Sequence, residues 1–130
     1  MSESLLDKIQ LEPRQAFRSK SGAVLRGIRS DESIYISLNE VYFSYFGSLE
    51  SDEKKHLMME LRILCLKGSV DFTFKDESNK TRVISLNSNS PELMIVPPGI
   101  WFKYKGLEDE NIIVNFSNIL HNENEIVRKI

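Results

Sequence analysis

An all-β sandwich or barrel is the fold this sequence predicts. Short runs rich in β-branched and aromatic residues recur along the chain, and several of them alternate apolar and polar with a period of two. Polar clusters holding Gly, Pro, Asn and Ser separate these runs at regular spacing, and helical periodicity is almost absent.

The most informative stretch runs from Lys54 to Phe74. It opens with Lys54, Lys55 and His56, continues through the apolar run around Leu61–Leu66 and pauses at Gly68. It then alternates, with Val70, Phe72 and Phe74 on one side and Asp71, Thr73 and Lys75 on the other. A glycine between two such runs marks a bend or bulge, as at the corner of a barrel. The polar cluster therefore stands at the mouth of a strand pair that builds the core, and we expect a small-molecule pocket there.

The remaining elements follow in order. Leu5, Leu6 and Ile9 are spaced as on one helical face, which predicts a short helix or a loose arm ended at Pro13. Residues 14–22 are polar and irregular. Ala23–Ile28 is a short strand candidate, and Val41–Phe46, dense in aromatic residues, is a firm one. Gly47–Glu53 reads as a loop leading to His56. Strands are expected at 60–67 and 69–75, then a polar turn over Asp76–Thr81 makes a hairpin with a returning strand at Arg82–Leu86. Leu93–Val96 is a short apolar strand stopped by Pro97-Pro98-Gly99. Trp101–Lys105 alternates again, and Asn111–Phe116 is the last clear strand. The Asn- and Glu-rich tail is expected to hold a short helix at Glu123–Lys129, packed by Ile126 and Ile130.

At 130 residues the chain fits one domain, able to bury about two-thirds of its unfolded surface. A net charge of −2 gives no basic excess, so neither nucleic acid nor an anionic membrane is expected as a partner. One cysteine, Cys65, excludes an internal disulfide and fits a reducing compartment. Its apolar strand makes it a buried small hydrophobe. The N-terminus lacks a basic segment followed by an apolar run, and no window approaches about 18 consecutive apolar residues, so neither a signal peptide nor a membrane span is expected. A soluble, cytoplasmic protein is the resulting expectation.

Chemistry has few carriers. With only His56 and His121, a three-histidine metal site cannot be built, and neither a metal nor a cofactor is predicted. His56 is the leading acid or base, since an imidazole titrates near neutral pH. Lys54 and Lys55 beside it would depress its pKa and keep it neutral. The competing reading is a solvated histidine at a strand entrance. Arg62 lies in an otherwise apolar strand. It points into the barrel to hold a phosphate or carboxylate, or faces outward, or pairs with Glu60 or Asp71. Tyr42, Tyr45 and Tyr104 can donate protons or stack, although strand aromatics more often fill a core. Trp101 lines the pocket or caps the core, and Lys103 with Lys105 reads as a solvated strand face.

The segments Glu40-Val41-Tyr42-Phe43-Ser44, Lys54-Lys55-His56, Gly68-Ser69-Val70, Val96–Phe102 and Gly106-Leu107 resemble the small cupin proteins like dTDP-4-dehydrorhamnose 3,5-epimerase. So do Ala23–Arg26 and the tail Asn118–Lys129, so that the resemblance covers roughly residues 22–129. The dTDP-sugar 3,4-ketoisomerases are a related group, whose aromatic strand and His-x-His look like Tyr42-Phe43 and residues 54–56. The resemblance implies a cupin-type jelly-roll β-barrel with short peripheral helices, filling one domain over 1–130. Residues 1–21 would form an N-terminal arm, 22–117 the barrel and 118–130 a C-terminal tail. It also implies a homodimer that binds a nucleotide-linked sugar and epimerises or ketoisomerises a 4-keto-6-deoxy sugar without a metal, in surface-polysaccharide or O-antigen synthesis. His56, Tyr42 and Lys54 would then be catalytic. Arg26 and Arg62 would contact the diphosphate, and Tyr104 or Trp101 would stack on the base. The departure is Lys54, which stands where the ketoisomerase pattern has its first histidine. That leaves open a second reading, a cupin that binds a sugar nucleotide without turning it over, as a regulatory or scaffold module.

Overall fold

The computed structural model describes residues 4–129. Two antiparallel five-stranded sheets pack face to face, beside a separate two-stranded hairpin. In chain order the strands are β1 (Gln10–Pro13), β2 (Ala16–Ser19), β3 (Gly22–Leu25), β4 (Glu40–Phe46), β5 (Lys54–His56) and β6 (Leu61–Lys67). They continue as β7 (Ser69–Lys75), β8 (Thr81–Asn87), β9 (Glu92–Val96), β10 (Trp101–Gly106), β11 (Asn111–Ser117) and β12 (Ile126–Arg128). One sheet runs β1-β9-β6-β11-β4, the other β12-β5-β10-β7-β8, and β2 pairs with β3. This is the expected jelly roll.

The period-two pattern of β7 governs the core. Val70, Phe72 and Phe74 are fully buried, and pairing of Phe72 with Tyr104 and Phe74 with Phe102 brings the even-numbered residues of β10 to the same side. They meet Leu61, Ile63 and Cys65 of β6 across the inter-sheet space. A second, smaller cluster of Leu64, Leu93, Ile95 and Val114 lies against Leu25, Ile34 and Phe116. Alternate residues of β6 serve the two clusters, which is why β6 reads as an unbroken apolar run rather than an alternating one.

Gly68 makes the expected corner. At φ +81° it adopts a backbone that favours glycine, and the chain passes there from the first sheet into the second. The 76–80 turn also forms as expected, with Asp76 Oδ1 accepting from the amides of Ser78 and Lys80.

Several expectations are corrected. Lys54–His56, read only as a polar cluster, form a strand of their own, β5, which belongs to the second sheet, so that the chain crosses to the first before Leu61. The predicted helix at Glu123–Lys129 is a 3-10 turn at Glu123–Glu125 followed by β12. Ladder pairing of Ile126 with His56 and Arg128 with Lys54 replaces helical hydrogen bonds. Ile130 lies outside the described residues. The N-terminal helix is limited to a 3-10 turn at Leu5–Lys8, where Leu6 is buried. The following residues, read as an arm, supply β1 on β9 and then β2, formed by part of the polar segment 14–22. Among the described residues no helix is long and apolar enough to cross a membrane.

Candidate active site

Strand β5 is short and flanked on both sides, by β10 and β12. Its alternation sends Lys54 and His56 to the inter-sheet cavity, whereas Lys55 faces outward over the Trp101 ring, 4.9 Å from its centroid. The His56 ring is 4% exposed and stacks on Phe102 at 5.8 Å and 16°. Its carbonyl accepts from the Gly99 amide at 2.8 Å. The solvated-histidine reading is thereby excluded.

Glu125, from the turn before β12, completes the histidine. Its Oε2 bonds to His56 Nδ1, and its Oε1 accepts from the amides of Met58 at 3.0 Å and Met59 at 2.9 Å. Burial raises the Glu125 carboxyl pKa, but the bonds from His56, Met58 and Met59 outweigh it and hold the group below its usual range. Burial lowers the His56 pKa, with a smaller push from Lys54, against the pull of Glu125. The pair is therefore a neutral imidazole donating Nδ1–H to a carboxylate, which leaves Nε2 as the basic nitrogen. Depression of the histidine was expected from its lysine neighbours; burial is the larger cause.

The opposite wall carries Tyr42 of β4 and Asn115 of β11, which are register partners. Asn115 Nδ2 donates to the Tyr42 hydroxyl at 2.7 Å, and that hydroxyl lies 3.5 Å from Met59 Sδ. Asn115 Oδ1 is held by the Arg62 amide at 2.9 Å. Burial raises the Tyr42 pKa, so the phenol keeps its proton and serves as a donor. Tyr104 also lines the cavity and tilts against Phe46 at 4.9 Å. The Lys54 pKa is lowered by burial and then by repulsion from Arg128. The cavity has a volume of about 40 Å³, room for a few waters or one polar edge of a sugar ring but not a nucleotide.

Four of the seven expected site residues thus meet: His56, Tyr42, Lys54 and Tyr104. Three do not. Arg62 does not point into the barrel; it is buried on the other side of β6, donates to the Ile34 carbonyl at 2.9 Å and pairs with Glu60 at 2.8 Å. The inward Leu61 and Ile63 on either side of it fix that orientation. Trp101 faces away from the cavity, between Lys55 and Lys129. Arg26 is exposed, 4.8 Å from the Phe17 ring centroid and beside a groove shared with Arg14 and Arg29. His121 is exposed and pairs with Glu123. Sequence reasoning missed Glu125 and Asn115. Alternation of Asn115 between Val114 and Phe116 was a faint signal for the second, and nothing local marks the first.

Two packed antiparallel sheets, with the His56–Glu125 pair and Tyr42 between them, make a cupin-like jelly roll. The chain belongs to the WxcM-like, C-terminal family (FdtA), whose model matches residues 7–130. A dTDP-sugar isomerase from Desulfovibrio desulfuricans G20 superposes with a TM-score of 0.90 at 19% identity, over 100% of this chain and 88% of that one. A histidine-to-asparagine variant of the 3,4-ketoisomerase from Thermoanaerobacterium thermosaccharolyticum, in complex with TDP-4-keto-6-deoxyglucose, gives 0.80 at 19%, over 93% and 87%. The dTDP-4-dehydrorhamnose 3,5-epimerase from Sulfolobus tokodaii gives 0.81 at 16%, over 92% and 76%. At these identities the likeness is one of fold. No curated protein matches the sequence.

Proposed function

We propose that this protein is an isomerase, an epimerase or ketoisomerase, acting on a nucleotide-linked 4-keto-6-deoxy sugar. The observation that carries the reading is the buried His56–Glu125 pair facing Tyr42 across one cavity. His56 Nε2 removes a proton from the carbon next to the ketone. Lys54 supplies positive charge against which the enolate oxygen develops, and Tyr42 returns a proton. Tyr104 borders the sugar. Arg62, turned to the other face, has no part, and Arg26 remains a candidate only for a distal phosphate. A cytoplasmic setting in surface-polysaccharide synthesis is the context we infer from the family resemblance.

The experiment is proton NMR of dTDP-4-keto-6-deoxyglucose with the protein in heavy water. Fading of the signal at sugar position 3 or 5 is expected, and its position separates the two reactions. The His56→Ala variant should lose this exchange by about a hundredfold or more while remaining folded. Unchanged exchange in that variant would sink the assignment of the base. A second reading, a binder that does not turn the sugar over, is favoured by Lys54 in place of the first histidine of the ketoisomerase pattern. Saturable binding without any exchange would select it.

We also propose a homodimer. Val41, Phe43 and Tyr45 present an exposed apolar face on β4, at 41%, 51% and 73% exposure. β4 is also an outer strand of its sheet, and a second copy would cover both features.

A further inference from the structure

Asn115 is buried, and every polar atom of its side chain is committed. Its Oδ1 faces the backbone amide of Arg62 at 2.9 Å. A backbone amide only donates, so this contact fixes which end of the side chain is the oxygen and which the NH2 group. Nδ2 therefore offers donors alone, to the Tyr42 hydroxyl oxygen at 2.7 Å and toward Met59 Sδ at 3.4 Å. Cross-strand register sets Asn115 directly opposite Tyr42. A phenol oxygen that accepts from Nδ2 must send its own hydrogen elsewhere. Among the described residues its one acceptor is Met59 Sδ at 3.5 Å, and a thioether is a weak acceptor. Met59 is itself held in place, since its amide donates to Glu125 Oε1 at 2.9 Å. The carboxylate that orients His56 thus also anchors the sulfur beside Tyr42 and Asn115.

We infer that Asn115 is a positioning residue for the acid of the reaction, turning the Tyr42 hydrogen toward the substrate and receiving the phenolate that its loss leaves. The inference rests on the proposed keto-sugar reading and goes beyond it. His56 Nε2 takes the proton next to the ketone, and the C–H pair becomes the C=C bond of an enolate. The Tyr42 O–H bond then breaks with its electron pair left on oxygen. The proton joins the enolate carbon through the C=C pair, and the C=O bond re-forms. The developing charge on the phenol oxygen meets an Nδ2–H donor already in place, so no group has to reorient at that moment. Solvent takes the proton from His56 and resupplies Tyr42, which closes the cycle without net gain or loss. The same bond opposes the burial that raises the Tyr42 pKa. An amide suits this place because a hydroxyl or carboxylate could accept the phenol hydrogen and withhold it.

The test separates two readouts, taken in heavy water with the intact protein and dTDP-4-keto-6-deoxyglucose. Deuterium entering unconverted substrate reports proton removal by His56, which can return a deuteron itself. Isomerised product reports delivery by Tyr42. Asn115→Asp keeps an oxygen toward the Arg62 amide but sets a second one against the phenol, where it captures the hydrogen. Product formation should fall by about a hundredfold while deuterium continues to enter the substrate. Asn115→Ser is too short to reach Tyr42 and buries no charge, so it tests the same bond if the aspartate variant folds poorly. It should show the same split, at about tenfold. In a Tyr42→Phe background neither substitution should lower product formation further, because the group it acts through is gone. Equal loss of both readouts, losses that add to that of Tyr42→Phe, or undiminished product in both variants overturns the role of Asn115 and leaves the isomerase reading intact. A parent protein that gives neither deuterium exchange nor product overturns both readings.

Discussion

The imidazole of His56 and the carboxylate of Glu125 meet across 69 positions of sequence, with side chains only 4% and 3% exposed. The Glu125 carboxylate bridges the ring to the Met58 and Met59 amides, so one group fixes both the tautomer of His56 and the backbone that follows it. A carboxylate in this position accepts only, which forces Nδ1 to be the donor.

Glu125→Gln should therefore separate folding from chemistry. The glutamine oxygen still accepts from the two amides, but its NH2 group faces Nδ1 and drives the imidazole to the tautomer with its proton on Nε2. Exchange at the sugar should drop by about a thousandfold, with a melting temperature close to that of the parent. Glu125→Ala leaves the ring and two amides without partners and should cost about 3 kcal/mol in urea denaturation. A fully active Glu125→Gln protein would refute the tautomer argument.

Acid should weaken the fold in two stages. The His56 pKa is lowered in the native state from 6.5. The unfolded chain therefore binds a proton that the folded one resists, and stability falls as pH drops below 6.5 toward the native value. Glu125 is lowered from 4.5, so its contribution is present above 4.5 and is lost as pH falls through its native value. Melting temperature followed against pH should decline across both windows, and His56→Gln should flatten the upper one. Catalysis should rise with pH through the depressed histidine pKa and then level off. A melting temperature flat between pH 7 and 5 would contradict this.

Gly68→Ala should be among the most damaging small substitutions. At φ +81° a side chain is strained, and a Cβ would stand 2.2 Å from Asn111 Oδ1 and 2.6 Å from the Glu110 carbonyl. Asn111 in turn accepts from the Ser69 amide and donates to the carbonyls of Phe46, Gly47 and Glu108. Displacing it loosens three loops at once, at a cost of about 3 kcal/mol or more. Calorimetry that finds the variant as stable as the parent would show that the corner relaxes freely.

Phe43→Glu should halve the mass in solution. Light scattering is expected to give about 30 kDa for the parent, twice the 15.0 kDa chain, and half that for the variant, because a charge cannot be buried against a second apolar strand. A parent that elutes as a monomer removes the dimer proposal.

Strand β7 was legible because its two faces differ in burial along its whole length. Phe72 and Phe74 alternate with Asp71 and Thr73, and the register of β10 follows from them, so the inward turn of Phe102 and the outward turn of Trp101 could have been read from that pairing. Arg62 was ambiguous for the opposite reason, since both faces of β6 are covered and its neighbours carry no alternation. The partner of His56 was not legible. Glu125 is one of several carboxylates in a polar tail, and only the long-range pairing of β12 with β5 singles it out.

That pairing has a consequence for synthesis on the ribosome. His56 is made in the first half of the chain, but its orienting carboxylate and the strand that seals β5 arrive only with residues 125–128. A nascent chain released from the tunnel up to Ser117 has both walls of the cavity and a histidine without its anchor. The base is thus armed only once residues 125–128 have been made, and a substitution or deletion that disturbs those few residues disarms it without touching the barrel.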